Sequence, residues 1–219
     1  MNGLVIAMPT RNTPGREAWY AMLTAAQKAG GATMQWPPGA PRDHNRNKIV
    51  QMFLDDPKAE WLLFIDDDTT VPADCVEKLM SVGKPCVVGV QPLFLNGILV
   101  ASVSRDLASK TVKAEWRSWF GVIEDEKEPF QVKSCGFGCV LTHRSVWEKI
   151  KHPWFVEDYG DVYGDKSITE DIFFCNRCND EGIEIWCNPA VQCGHIKNVD
   201  MREWAPLSMI DLKPKEEAA

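Results

Sequence analysis

The feature that most restricts the fold is an alternation of short apolar runs with amphipathic segments across the first 90 residues. "GLVIAM" (3–8) is an apolar run stopped by Pro9, the pattern of a buried strand. "TPGREAWYAMLTAAQKAG" then opens on a Thr-Pro start signal and closes at Gly30, as a helix does. "ATMQW" predicts a second strand before a Pro/Gly turn, and "HNRNKIVQMFLDD" sets Ile49, Val50, Phe53 and Leu54 on one helical face. "WLLFI" (61–65), "ADCVEKLMSVG" and "PCVVGVQP" continue as strand, helix and strand. This order predicts an α/β fold: a single Rossmann-like domain with an open, mainly parallel central sheet flanked by helices. Ligands of such sheets bind beyond the carboxyl ends of the strands, and both "MPTRN" and "DDD" fall there.

Beyond about residue 96 the rhythm changes. "ILVASVSRD" and "VKAEWRSWFGVI" read as strands or loops of a small antiparallel part, and "EDEKEP" (124–129) as a solvated charged turn. "FQVKSCGFGCVLTHRSVWEKI" predicts strand, glycine-rich turn, strand and helix, while residues 152–168 predict a mobile loop. "ITEDIFFCNRCNDEG" predicts a helix with a glycine stop, and "IEIWCN" and "VQCGHI" two short strands around Asn188-Pro189. A chain of 219 residues suits one domain, here residues 1–199 with halves 1–95 and 96–199, followed by a tail over 200–219.

Composition narrows the class. At 45% apolar the chain can bury a substantial core, yet no run approaches the roughly 18 apolar residues of a membrane span. The N-terminus "MNGLVIAMPTRN" is too short and too abruptly polar for a secretory signal, so a cytoplasmic protein is expected. Eight cysteines scattered through apolar segments read as reduced core residues. The net charge of −7 argues against nucleic-acid binding by bulk charge, although "RDHNRNK" (42–48) and "THRSVWEKIKH" (142–152) are local basic stretches.

The sharpest local feature is "WLLFIDDDTTVP" (61–72), an apolar strand that ends on three adjacent carboxylates. One aspartate suffices to cap the following helix; three exceed what a cap needs. An EF-hand register would use Asp66, Asp68, Thr70, Asp74 and Glu77, but it fails at Val71, where glycine is required, and follows a strand. The remaining reading is a D-x-D site. Asp66 and Asp68, alternate residues of a strand end, would point the same way and share a divalent cation that bridges to a diphosphate.

Other candidates are weaker one by one. In "SITEDIFF" (167–174), Ser167 and Glu170 fit a capping box, which leaves Asp171 free to act as a general base toward a hydroxyl. His195 in "CGHI" is either a hydrogen-bonded structural histidine or a further metal donor. Cys175, Cys178, Cys187, Cys193 and His195 raise a zinc site, but the first pair lies inside a predicted helix without a glycine knuckle. The glycines of "CGFGC" (135–139) suit a tight turn or close approach of a ligand. Pro9 and Thr10, in a turn after the first strand, are either a shelf for a base or ribose or an ordinary loop. Arg46 and Asn47 on the second helix either meet a base or phosphate or point to solvent. Trp116, Trp119 and Trp154 are candidates for stacking on a sugar or base, or for the core.

In this order the motifs resemble the family 2-like glycosyltransferases of the GT-A fold, in the compact form common in phage and bacterial genomes. "LVIAMPTRN" is similar to that family's first strand and nucleotide loop, "HNRNKIVQMFL" to its Arg-Asn helix, and "LLFIDDDTTVP" to its D-x-D strand end. "CGFGCVLTHRSVWEKI" resembles its glycine-rich segment, and "TEDIFFCNRCNDEGIEIWCNPAVQCGH" its Glu-Asp helix and terminal histidine. The resemblance spans about residues 3–196. It implies metal-dependent transfer of a sugar from a nucleotide-sugar, a UDP-sugar, to an acceptor hydroxyl. Asp66, beside Asp67, would face the ribose or donor sugar. Asp68 would bind Mn²⁺ or Mg²⁺, with His195 and Asp66 completing the shell. Pro9, Thr10, Arg11, Arg46 and Asn47 would line the nucleotide pocket. Asp171 would deprotonate the acceptor, with Glu170 beside it, which fits inversion at the sugar carbon.

Two further readings stand beside this one. A nucleotidyltransferase of related architecture would need a glycine-rich basic loop, which "MPTRNTPGR" supplies only in part. A non-enzymatic interaction module would be stapled by zinc on the C-terminal cysteines. The acceptor is open among protein, glycan, lipid-linked sugar and a hydroxymethylated base in phage DNA, and the oligomeric state is not legible.

Overall fold

The computed structural model describes residues 3–11, 13–37, 39–95, 98–107, 116–158 and 167–197. Its first half runs β1 (Leu4–Ala7), α1 (Arg16–Lys28), β2 (Thr33–Gln35), α2 (Arg42–Asp55), β3 (Trp61–Ile65), β4 (Thr69–Thr70), α3 (Cys75–Ser81) and β5 (Cys86–Val90). Next come β6 (Pro92–Leu95), β7 (Ile98–Ala101), β8 (Val103–Ser104), α4 (Trp119–Asp125), β9 (Phe130–Val132) and β10 (Ser134–Cys135). The last group is β11 (Cys139–His143), α5 (Arg144–Lys149), α6 (Glu170–Asp180), β12 (Ile185–Gln192) and β13 (Gly194–His195). No helix of the described residues is long and apolar enough to cross a membrane.

The central sheet has the order β2-β1-β3-β11-β5-β12-β9. Strands β2, β1 and β3 pair in parallel, as do β5 and β12, while β11 runs antiparallel between β3 and β5 and β9 antiparallel at the edge. The expected α/β architecture is therefore present, but the antiparallel part is not confined to an appendage. Strand β11, from the second half, is inserted in the middle of the sheet, and its partners β3 and β5 carry the ligand end on either side.

The continuous apolar runs follow from burial on both faces. Val5, Ala7, Leu62, Phe64 and Val88 point to the side covered by α2, α5 and α6, and Leu4, Ile6, Leu63, Ile65 and Val87 to the side covered by α1 and α3. Each such side chain, taken fully out of water, contributes about 1.5–3 kcal/mol. Trp147 is wholly buried on the first side and donates its indole N–H to Thr142 Oγ1 at 2.9 Å.

Several sequence expectations are corrected. The end of "VKAEWRSWFGVI" is helix α4, capped at Ser118, whose carbonyl receives the Val122 N–H at 3.0 Å; only Val122 of the helix is fully buried. "EDEKEP" is not simply solvated, because Glu126 accepts from both Arg105 and Arg117. "IEIWCN" and "VQCGHI" form the one strand β12 as far as Gln192, with a register shift between Asn188 and Gln192. That irregularity accommodates Pro189, which has no N–H for the ladder. Within the expected mobile loop, Trp154 and Phe155 are buried, and Trp154 Nε1 donates to Ile150 O at 2.9 Å. Residues 159–166 of that loop and the tail 200–219 lie outside the described residues. Trp119 packs half-buried against the core.

Candidate active site at the aspartate turn

The chain stops being a strand at Ile65. Thr69 N–H donates to Asp66 O at 3.0 Å, so the three aspartates occupy a turn, and the alternation of a strand end does not extend through them. Each peptide of the turn is held by a different segment. Asp66 N–H donates to Gly138 O at 3.1 Å, Gly15 N–H to Asp67 O at 3.1 Å, and Ile196 N–H to Asp68 O at 2.8 Å. Gly15 is required at that approach, since a Cβ there would meet Asp67 O at 2.8 Å. The consequence is that Asp66 and Asp68 diverge and face different partners.

At the outer end, β4 pairs antiparallel with β13, setting His195 opposite Thr69. His195 Nδ1 lies 2.8 Å from Pro92 O and Nε2 lies 3.2 Å from Asp68 Oδ2. A carbonyl only accepts, so Nδ1 carries a proton, and Nε2 faces the Asp68 carboxylate. Lys197 Nζ also donates to Asp68 Oδ2. Burial works to raise the Asp68 pKa, but His195 and Lys197 outweigh it and hold the carboxyl down at about 2.

At the inner end stands Arg46, with 1% of its side chain exposed. Its Nη2 donates to Asp66 Oδ1 at 2.9 Å and its Nε to Glu170 Oε1 at 3.3 Å. The guanidinium carbon lies 4.9 Å from the Phe137 ring centre, with Phe64 at 5.7 Å and Phe155 at 5.8 Å. Burial opposes the Arg46 charge, but Asp66, Glu170 and Asp171 outweigh it and raise its pKa. Asp66 is pushed up to about 6, chiefly by burial; Arg46 pulls it down, and the charges of Asp68 and Glu170 push it further up.

Glu170 is the first residue of α6, but the expected capping box is not formed. The N-cap is Thr169, and Glu170 turns inward to Arg46, with Arg42 Nε 3.8 Å away on its exposed side. Asp171 Oδ1 accepts from the Thr169 hydroxyl and from Ile172 N–H at 2.8 Å, while Oδ2 lies near Gly136. Burial and the Glu170 charge raise the Asp171 pKa from its ordinary value, against Thr169, Ile172 and Arg46. The "CGFGC" turn has a structural reason for its second glycine: a Cβ on Gly138 would come within 2.3 Å of the Gln91 side chain. Gln91 in turn donates to Thr69 Oγ1 at 2.5 Å.

A crevice of about 300 Å³ opens between these parts, lined by Pro9, Thr10, Arg11, Arg42, Asn45, Asp66, Asp67, Asp68 and Lys197. Six of the sequence-predicted site residues thus meet there. His195 stands behind Asp68. Arg46 and Asn47 do not line the crevice: Arg46 lies beneath it, and Asn47 faces away, accepting from Trp154 N–H at 3.0 Å and donating to Phe155 O at 2.7 Å. Asp66, expected among the metal donors, is engaged by Arg46. Glu170 and Asp171 do not line the crevice; Glu170 reaches it through Arg42, 3.8 Å away.

Sequence reasoning missed Arg42, Asn45 and Lys197. Asn45 is buried and donates to Thr10 O at 2.8 Å and Ala40 O at 3.1 Å, pinning the loop after β1, while its Oδ1 is buried without a partner among the described residues. Helical spacing would have found the first two, since Arg42, Asn45 and Arg46 share the face of Ile49, Val50 and Phe53. Period-two spacing from His195 would have found Lys197.

The donor chemistry at Asp68 fits a divalent cation: a carboxylate and an imidazole nitrogen side by side, the imidazole fixed by a backbone carbonyl through its other nitrogen. Among the described residues no three His, Cys, Asp or Glu side chains form a metal-holding cluster, so phosphate oxygens or water would complete such a shell. The zinc staple is not formed either. All eight cysteines are free and buried, and the Cys135 and Cys175 sulfurs lie 3.7 Å apart in the core.

No protein-family model matches the sequence, and no curated protein matches it. Solved structures do. The crystal structure of A197 from STIV matches with a TM-score of 0.60 at 18% identity, over 89% of this chain and 86% of that one. The crystal structure of GalNAc-T7 with UDP, GalNAc and Mn²⁺ matches with a TM-score of 0.56 at 11% identity, over 91% of this chain and 45% of that one. Likeness at these identities is a likeness of fold. The seven-stranded sheet flanked by helices, with its small antiparallel ribbons, is a GT-A-like domain.

Proposed function

We propose that the protein is a metal-dependent glycosyltransferase of the family 2 type, moving a sugar from a UDP-sugar to an acceptor hydroxyl with inversion. The observation that carries the reading is the pairing of Asp68 with His195 at the mouth of a crevice on the carboxyl side of the sheet. A GT-A-like fold shared with a protein solved with UDP, GalNAc and Mn²⁺ supports it.

In this reading residues 1–95 bind the nucleotide and residues 96–199 bind the acceptor. Asp68 and His195 would hold Mn²⁺ or Mg²⁺, which when bound supplies charge stabilisation to the departing diphosphate. Thr10, Arg11 and Asn45 would line the nucleoside side. Asp66 and Asp67 face the ribose or sugar. Asp171 takes the acceptor proton, and its raised pKa brings it closer to the operating range of a general base. Glu170, in contact with Arg46, orients the helix start that carries Asp171. Arg46 keeps Asp66 and Glu170 in place and is a positioning residue. Buried free thiols suit a reducing, cytoplasmic setting. The acceptor we favour for a first screen is a hydroxymethylated base in DNA, with glycans, proteins and lipid-linked sugars after it.

The test is release of nucleoside diphosphate from a panel of nucleotide-sugars with Mn²⁺, water serving as acceptor. UDP release from one UDP-sugar, lost in Asp171→Asn and in Asp68→Ala, is the expected outcome. Pyrophosphate release from a nucleoside triphosphate, with no turnover of any nucleotide-sugar, would favour the nucleotidyltransferase reading instead.

A further inference from the structure

One side-chain cation already pairs with the carboxylate just assigned to a metal. The β4–β13 pairing and the Ile196 N–H bond to Asp68 O at 2.8 Å bring the chain back over the aspartate turn. Residue 197, two past His195, is thereby delivered to the same side as the imidazole. Its ammonium donates to Asp68 Oδ2, the oxygen that also faces His195 Nε2. His195 Nε2 lies 3.2 Å from that same carboxylate oxygen, so Lys197 and His195 meet Asp68 at one point. The Lys197 side chain keeps 56% of its exposure and lines the crevice, so it is held by a contact that solvent and ligands can reach.

We propose that Lys197 is a tethered placeholder for the divalent cation: it pairs with Asp68 before a cation binds and transfers to the diphosphate oxygens when cation and nucleotide bind. The inference rests on the glycosyltransferase reading of this crevice. Its physical content is competition and re-use. Lys197 and a divalent ion cannot both take Asp68 Oδ2, so the lysine lowers metal affinity in the absence of nucleotide. Once released, its three N–H donors face the anionic ligand. Lys197 thus offsets the Asp68 charge before a cation binds, and firm metal binding becomes conditional on the diphosphate.

The experiment uses the full chain and two probes, Mn²⁺ alone and UDP at saturating Mn²⁺, on wild type, Lys197→Met and Arg42→Met. Free Mn²⁺ is read by electron paramagnetic resonance and UDP binding by calorimetry. Lys197→Met is expected to bind Mn²⁺ alone about threefold tighter, the scale of one partly exposed ion pair removed as competitor. It is expected to bind UDP about tenfold more weakly, the scale of a hydrogen bond to a charged group. Arg42→Met removes a charge that lines the crevice without touching Asp68, and should leave the Mn²⁺ affinity near wild type. Unchanged or weaker Mn²⁺ binding by Lys197→Met would overturn the placeholder while leaving the transferase reading standing. An equal gain in Arg42→Met would also overturn it, since bulk charge would then explain the effect. Unchanged UDP binding would overturn the transfer to phosphate. Absence of Mn²⁺ binding in both wild type and Lys197→Met would overturn the placeholder together with the metal-dependent reading.

Discussion

Asp66 and Asp68 are two residues apart, of the same chemistry, and their environments act in opposite directions. Asp66 is pushed up to about 6 and is met by an arginine that no solvent reaches. Asp68 is held down at about 2 by a histidine and an exposed lysine. The turn that begins at Ile65 separates them. The inner carboxylate becomes part of the packing that joins strand β3 to helix α6 through Arg46, with partners 20 and 124 residues away in sequence. The outer one stays at the crevice with cation-binding partners. Three adjacent aspartates are tolerable because they do not share one environment.

If the inner end is a buried latch, breaking it has the largest effect on stability. Arg46→Met leaves the buried Glu170 with only the half-exposed Arg42 at 3.8 Å as counter-charge and is expected to cost roughly 3–5 kcal/mol in urea unfolding. A loss below about 1 kcal/mol would show the two ends to be alike. Next, Gly138→Ala forces a Cβ onto Gln91 at 2.3–2.5 Å, disturbing the turn that holds Asp66 N–H. About 1–3 kcal/mol is expected, by the same measurement.

The pH dependence separates the ends by sign. Asp66 has a folded pKa above its ordinary 3.8, so its contribution is fully present below about pH 4 and is lost as pH rises through about 6. Compared with Asp66→Asn, the wild type should lose about 1–2 kcal/mol of relative stability between pH 4 and pH 7.5, after allowing for screening at a partly exposed group. Asp68 has a folded pKa below its ordinary value. Its contribution is present above about pH 4 and lost as pH falls through about 2. The smallest effect belongs to the outer pair: Lys197→Met should change stability by under about 1 kcal/mol at pH 7.5. A larger loss would mean that Lys197 is structural.

How much was legible follows the same division. Continuous apolar runs such as "LVIA" and "WLLFI" announce strands buried on both faces, because burial selects the side chain irrespective of what lies opposite. That the "MPTRN" loop and the three aspartates share one crevice was legible, because both follow the carboxyl ends of neighbouring parallel strands. What could not be read was pairing. That Glu170 answers Arg46 depends on α6 crossing back over α2, and no local pattern reports that contact. The capping box at Ser167 was plausible on spacing alone, but ion pairing with a buried guanidinium outcompetes a solvent-exposed cap. The insertion of β11 between β3 and β5 was likewise invisible, since an antiparallel and a parallel buried strand read the same. Helix α4 was missed because a short helix with one fully buried residue, Val122, leaves no periodic stripe.

The measurement that most directly tests the assignment of the outer end is calorimetric titration of UDP, with and without Mn²⁺, on wild type and Asp68→Ala. Binding that requires Mn²⁺ in the wild type and is lost in Asp68→Ala, with both proteins equally folded, is the predicted result. Equal UDP binding by the two proteins, or none by either with Mn²⁺ present, would contradict it.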